Sequence, residues 1–397
     1  MKFWTCCLFL VLPAAAAAAD LKVVGDFPGG SARVEGIDQA ARVIRVQPYP
    51  HAERGWVCWW YFKIEGIEPG ETITIDLSGG AFATGDRAFL SFDNRDWKQT
   101  EAGQRAKERI TYKVRIDAKE AWFAWGPPYL LKHANDAVQA AAKKSPHATA
   151  FELCKSKEGK PVPALRISQP GVKDEERLGI WINARQHAWE AGASWVCQGL
   201  IDWLVSDDPA AEALRKKAAI TIVPIMDVDN VERGAGGKNQ KPHDHNRDWS
   251  DQPVWTEVQA AIKQIGELNK AGRFDLFLDL HNPGPGDRQP FFFVPAPELL
   301  QPQSRRNLDS FLAAARKEIT GPLKLADKPK ETGAAYDANW QKISGNWVAK
   351  NSRDHVVACC LETAWNTPQS TADNYKTVGK QLGQAIERYF REPTRPK

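Results

Sequence analysis

His187 and Glu190 lie three positions apart in the stretch Asn183-Ala-Arg-Gln-His187-Ala-Trp-Glu190, and far downstream Phe277-Leu-Asp-Leu-His281 ends in another histidine. Two imidazoles and one carboxylate leave a position open on a tetrahedral zinc ion, which is the ligand count that lets a hydrolytic metal hold a water. The spacing predicts that imidazole and carboxylate share one face if a helix begins at His187, because residues i and i+3 are neighbours on a helical surface. A lone His-x-x-Glu also arises by chance, and its plain alternative is a surface carboxylate among ordinary histidines. What favours a site is a third ligand delivered from elsewhere. The run Phe274 to Leu280 reads as a short buried strand ending at His281, and the C-terminal ends of strands in an open α/β sheet are where such sites assemble.

The elements that must hold these residues follow from the hydrophobic pattern. From about Leu21 to about Trp125 short apolar or alternating runs, such as Thr72-Ile-Thr-Ile-Asp-Leu and Ile110-Thr-Tyr-Lys-Val-Arg-Ile, are separated by turn residues such as Glu68-Pro-Gly. That rhythm predicts an antiparallel β-sandwich. Its tryptophans Trp56, Trp59 and Trp60 suit either a sugar-binding platform or a core, and the core is preferred because buried aromatics dominate packing. After Gly126-Pro-Pro the character changes. Helical segments (Ala134 to Lys143, Ser194 to Val205, Val254 to Leu268, Arg305 to Ile319, Asp373 to Phe390) alternate with apolar strands at 164–167, 178–182, 219–225, 274–280, 290–294 and 356–361. This predicts an α/β domain whose mostly parallel mixed sheet is flanked by helices. The expected division is a leader over 1–19, a β-sandwich over 20–128 and a catalytic domain over 129–397.

Length and composition agree with two folded domains. The 397 residues are 43% hydrophobic and 26% charged, ordinary for a globular chain, and the net charge of +4 gives no reason to expect nucleic acid as a partner. Lys2, the apolar run Phe3 to Leu12 and the alanine tract before Asp20 read as a secretory signal cut near Ala19. The expectation is therefore an exported protein, periplasmic or secreted, with no membrane anchor after cleavage. Cys6 and Cys7 leave with the signal. Cys58, Cys154, Cys197, Cys359 and Cys360 remain, an odd set without metal-ligand spacing, mostly buried thiols with room for one unassigned disulfide.

Polar residues at the predicted strand ends extend the pattern. Asp227-Val-Asp-Asn230 follows one strand, then comes a loop Gly234-Ala-Gly-Gly-Lys, then His243-Asp244-His245-Asn246-Arg247-Asp248-Trp249. His187-x-x-Glu190, Asp244-x-Asn246-Arg247-x-Trp249, Leu280-His281 and Leu361-Glu362, in that order, resemble the zinc carboxypeptidases of the carboxypeptidase A type from about residue 130 onward. The aromatic-rich front looks like the N-terminal domain of the cytosolic-carboxypeptidase branch. The resemblance implies one zinc per chain held by His187, Glu190 and His281, with Glu362 as the base that activates the water and then protonates the leaving amine. It implies Asp244 as the carboxylate that orients His187, and Asn246 and Arg247 as binders of the substrate's terminal carboxylate, for which a guanidinium fork is suited. The implied partner is a peptide C-terminus.

Departures from the family pattern leave alternatives open. Related enzymes carry an arginine beyond an Asn-Pro-Asp-Gly turn that polarises the scissile carbonyl, whereas here that position falls in the glycine run near Gly237. Arg233 is preferred over Lys238 for the role because of its bidentate fork. Tyr336 is the nearest phenol to the position of the family's mobile tyrosine, and packing in a loop is preferred for it. His243 and His245 form a rival His-x-His pair, ranked below the first because they flank Asp244 in a loop. His51, His133, His147 and His355 are read as structural. The favoured reading is a metallocarboxypeptidase; the alternatives are a zinc-dependent amidohydrolase or deacylase on the same scaffold, and a binding protein that has lost turnover.

Overall fold

A computed structural model of the chain describes residues 19–171, 173 and 177–395. The leader expected over 1–19 lies outside the described residues except for Ala19.

Two five-stranded sheets make the N-terminal sandwich. One runs in the order Lys22–Val24, Tyr61–Glu65, Glu120–Ala124, Phe89–Ser91, Lys98–Gln99, the other Arg33–Asp38, Val43–Gln47, Glu71–Ser78, Arg109–Ile116, Gln104–Ala106. Pairing is antiparallel apart from Val43–Gln47 beside Glu71–Ser78, which is parallel. The period of two is visible in Glu71–Ser78, where Ile73, Ile75 and Leu77 are buried and the residues between them are not. Trp59 and Trp60 belong to the core, as expected, and their indole N–H groups donate to Gly29 O and Ala83 O at 2.9 Å each. Trp56 does not; it is half-buried at the junction with the second domain.

The second domain is built on an eight-stranded sheet ordered Ala148–Lys155, Pro161–Ile167, Ala218–Val223, Leu178–Ala184, Leu276–His281, Val357–Glu362, Phe291–Pro295, Lys330–Thr332. Its four central strands are parallel. They send alternate side chains into two cores: Ile180, Ile182, Leu276 and Leu278 join one, Trp181 and Phe277 the other. From Leu178–Ala184 the chain passes first to the strand on one side and later to Leu276–His281 on the other, so a crevice opens at the C-terminal ends of these strands. The sandwich core continues into this domain, since Trp125 packs on Trp365 at 4.3 Å and on Trp189 at 5.1 Å between ring centroids. The five cysteines of the described residues are free thiols, four of them buried.

Candidate metal centre and substrate cleft

The chain leaves the strand Leu178–Ala184 through Arg185, whose backbone takes a positive φ of 65°. Its buried guanidinium braces the following turn, with Nε donating to Ala188 O at 2.7 Å and Nη1 to Tyr129 O at 3.0 Å. His187 and Glu190 sit on that turn, closed by Glu190 N–H to His187 O at 3.2 Å, and the helix Ala191–Leu204 begins only after Glu190. The expected helical start at His187 is therefore corrected. A tight turn brings i and i+3 together just as a helix would.

His187 Nδ1 lies 2.8 Å from Glu190 Oε1, and His281 Nδ1 lies 2.6 Å from Glu190 Oε2. The three ligating atoms fall within 4.8 Å of one another, the group of this kind found among the described residues. The other ring nitrogens face carboxylates: His281 Nε2 is 2.9 Å from Asp279 Oδ2, and His187 Nε2 is 3.4 Å from Asp244 Oδ1, a longer contact. Inward Nδ1 atoms with outer nitrogens turned to acids is the arrangement of metal-ligating histidines, so the donor set fits a zinc ion. Burial alone would raise the Glu190 carboxyl, but the two imidazoles hold it down to about 2. Asp279 is a residue the motif reading missed. It also accepts from Asn183 Nδ2 at 2.7 Å and Ser344 Oγ at 2.6 Å. The signal was present, since two positions before His281 on a strand is the same face.

Glu362 stands directly opposite His281 in the parallel register of Val357–Glu362 against Leu276–His281. Its Oε2 is buried and finds no hydrogen-bond partner among the described residues. Burial pushes this carboxyl up to about 8; the charges of Glu190 and Asp279 add to the rise against the pull of His281. A cation held by the three ligands would favour its ionised form. The cleft lined by His187, Glu190 and Glu362 measures about 410 Å³ and includes Lys238, Tyr336, Phe293, Trp189, Trp56 and Phe82. A larger cavity of about 810 Å³, lined by Asp26, His51, Glu158 and Arg233 at the domain junction, contains none of the ligands.

Arg233 is therefore not where the carbonyl-polarising group was expected. It ends the short helix Val228–Arg233 on the outer side and pairs with Glu158 Oε1 at 2.5 Å. Lys238 lines the cleft instead, half-buried, with Nζ 3.6 Å from Asp244 Oδ2. Burial lowers its pKa, opposed by Asp244. The loop carrying it is laid against the sandwich by Gly237 N–H to Arg54 O at 2.9 Å, Trp56 N–H to Lys238 O at 2.9 Å and Lys241 N–H to Glu53 O at 2.8 Å. Gly237 is required there. Its φ is 77°, and a Cβ would stand 2.6 Å from Asp227 Oδ2 and 2.7 Å from Ala188 N, so the loop can pass this close to the ligand turn only without a side chain.

Tyr336 packs in a turn, as preferred, 48% exposed with its ring against Phe293 at 4.9 Å, and it also lines the cleft. Loss of water around its hydroxyl, with the Glu362 charge, pushes the phenol up to about 12. Asn246 adjoins the centre, whereas Arg247 lines a neighbouring depression with Asp244 and Asp337. Asn246 Nδ2 is 3.3 Å from His281 Nε2, and its Oδ1 accepts from Ser344 N at 2.9 Å. Arg247 Nε and Nη2 both donate to Asp337 Oδ2, at 2.9 and 2.8 Å, so the fork expected for a substrate carboxylate is occupied by one from the chain itself. His243 and His245 do not converge: His243 Nε2 pairs with Asp248 Oδ1 at 2.6 Å, while His245 lies between Asp227 and Glu257.

Comparison with known proteins agrees with this architecture. The family described as zinc carboxypeptidase matches residues 134–346, a span that holds the three candidate ligands and ends before Glu362. The family described as cytosolic carboxypeptidase N-terminal domain matches residues 23–125. An uncharacterized protein of Zymomonas mobilis is 28% identical over 268 residues, 66% of this chain and 67% of that one. Human cytosolic carboxypeptidase 1 is 24% identical over 235 residues, 48% of this chain but only 19% of the relative, so this chain corresponds to a small part of that protein's length. Among solved structures, a putative carboxypeptidase from Burkholderia mallei superposes with a TM-score of 0.82 at 22% identity, covering 94% of this chain and 98% of that one. A metallo-carboxypeptidase from Pseudomonas aeruginosa gives 0.76 at 23% identity, covering 92% and 98%. With more than half of its length matched by that family and its sheet carrying the His-Glu-His group at the expected strand ends, this chain belongs to the zinc carboxypeptidases, a family of metallopeptidases.

Proposed function

We propose that the protein is a zinc-dependent carboxypeptidase that removes the last residue of a peptide, with His187, Glu190 and His281 as ligands and Glu362 as the proton carrier. The observation that carries this reading is the register pairing of His281 with Glu362. It sets a carboxylate with a free oxygen beside the ligand group without making it a further ligand of that group. Zinc bound by the three ligands would supply a Lewis acid for the scissile carbonyl and lower the pKa of the attacking water. Glu362 takes the water's proton and hands it to the leaving amine. Lys238 offers its ammonium to the negative charge that develops on the carbonyl oxygen, and Tyr336 adds a phenol O–H in the same cleft. Asp244 and Asp279 hold the imidazoles in place. Asn246 and Arg247 bind the terminal carboxylate, which takes the place of Asp337 on the guanidinium fork.

One observation favours a second reading, an amidohydrolase or deacylase on the same scaffold: the Arg247 fork is already filled by Asp337. Matched free-acid and C-terminally amidated peptides separate the two. Charge-assisted hydrogen bonds contribute about 1.5–3 kcal/mol each, so a carboxypeptidase should lose about 10- to 100-fold in kcat/KM on amidation. Equal rates on both peptides would replace this reading with the second.

A further inference from the structure

We propose that Trp56 and Phe82 of the N-terminal sandwich form a binding subsite for a large apolar side chain, aromatic above all, on the residue just before the scissile bond. This rests on the carboxypeptidase reading above and extends it from the terminal residue to its neighbour. The cleft that holds Glu362 and Tyr336 is also lined by Trp56, Phe82 and Trp189. Trp56 and Phe82 have ring centroids 4.5 Å apart, Phe82 meets Trp189 edge-on at 5.7 Å, and Trp56 stacks over Trp189 at 6.5 Å. Because Trp189 lies between the ligands His187 and Glu190 in sequence, this wall starts at the metal centre itself.

Trp56 and Phe82 are only half-buried, whereas Trp59, Trp60 and Trp125 of the same sandwich are no more than 3% exposed. They are also held firmly. Trp56 N–H donates to Lys238 O, and the Phe82 loop hangs from two indoles, Trp125 Nε1 to Phe82 O at 2.7 Å and Trp60 Nε1 to Ala83 O at 2.9 Å. The Phe82 ring reaches across to the loop after His281, where a Cβ on Gly284 would stand 3.9 Å from Phe82 Cζ. Bare, fixed aromatic surface beside a polar centre favours a ligand that covers it.

Direction follows from the carboxylate anchor. Arg247 lies with Asp337, Asn239 and Pro242 in a separate depression that shares no aromatic residue with the wall. Asn239 of that depression follows Lys238, whose carbonyl holds Trp56, so the two sites flank one loop, and a peptide whose terminal carboxylate reaches Arg247 is taken to lay its preceding residue on the Trp56 side. The lysines of the cleft wall already face carboxylates of the chain, Lys330 Nζ 2.6 Å from Asp287 Oδ1 and Lys238 Nζ 3.6 Å from Asp244 Oδ2, so charge does not select there. Apolar area does.

The experiment is calorimetric titration of the zinc-loaded Glu362→Gln variant with two free-acid peptides that differ only in a penultimate Phe or Gly. The Phe peptide should bind about tenfold or more tightly, the worth of a largely buried aromatic side chain. Trp56→Ala and Phe82→Ala, with zinc content measured in each, should shrink that ratio to about twofold or less, and Trp56→Phe should keep most of it. Equal affinities for the two peptides, or a ratio that survives both alanine substitutions, overturns the subsite. If wild type hydrolyses both peptides equally well, the subsite falls and the carboxypeptidase reading stands; hydrolysis of neither overturns both.

Discussion

In one buried cluster His187 and His281 turn their Nδ1 atoms to the two oxygens of Glu190; in the other His245 stands between Asp227 and Glu257 at 3.6 and 3.5 Å, its ring stacked on Trp255. Both are made of histidines and acids removed from water, yet only the first gathers three donor atoms toward one point at the edge of a cleft. In the second, Asp227 accepts from Asn230 Nδ2 at 2.8 Å and Gln240 Nε2 at 2.9 Å, so its lone pairs are already used within the fold. Burial pulls the His245 imidazole down, but Asp227 and Glu257 prevail and raise it to about 9. This cluster is a buried ion pair that ties the loop before Asp248 to the domain. Convergence and an accessible side, rather than residue types, distinguish a metal centre from structural polar burial.

Changes to the ligands should have the largest effects and test the comparison hardest. His187→Ala or His281→Ala should abolish stoichiometric zinc and activity together, whereas His243→Ala should leave zinc bound; elemental analysis of the purified variants is the check. Zinc retained at full occupancy in both ligand variants would remove the distinction between the clusters. Next in size, Glu362→Gln should keep zinc while lowering kcat by about 10²- to 10⁴-fold, the usual worth of acid-base catalysis, with KM little changed.

Smaller effects are expected at the occupied fork. Asp337→Ala frees the Arg247 guanidinium, so KM for free-acid peptides should fall several-fold while amidated peptides are unaffected, and Arg247→Lys should raise KM for the free acids because a point charge cannot reproduce two parallel bonds. Steady-state kinetics on the matched peptides reads both. The smallest effect belongs to the second cluster. With a folded-state pKa of about 9 against the ordinary 6.5, protonated His245 contributes stability that is fully present below about pH 6.5 and lost as pH rises through about 9. Tm should accordingly decline across that window, and His245→Gln should flatten the decline; an unchanged slope would show that His245 is not the titrating group.

Legibility in the sequence followed the range of the interactions. His187-x-x-Glu190 needs only a turn and His281 only the end of a buried strand, so short-range spacing and apolar runs pointed to them, whereas Glu362 was singled out by the order of motifs shared with the family. Asp279 was readable from the alternation of its own strand. The change from period-two runs to alternating helices and strands likewise announced a sandwich followed by an α/β domain. The choice between Arg233 and Lys238 was not readable, because it depends on hydrogen bonds between residues 53–56 and 237–241, nearly two hundred positions apart. Nor were the Asp337 partner of Arg247 and the sandwich wall of the cleft. The sequence by itself pointed to the His-Glu-His group and to the elements that present it, since propensity and periodicity act over a few residues. Tertiary structure alone decided which cation enters the cleft, what fills the guanidinium fork and which aromatic surface stays bare, because each depends on where two distant loops meet and on the packing that holds them there.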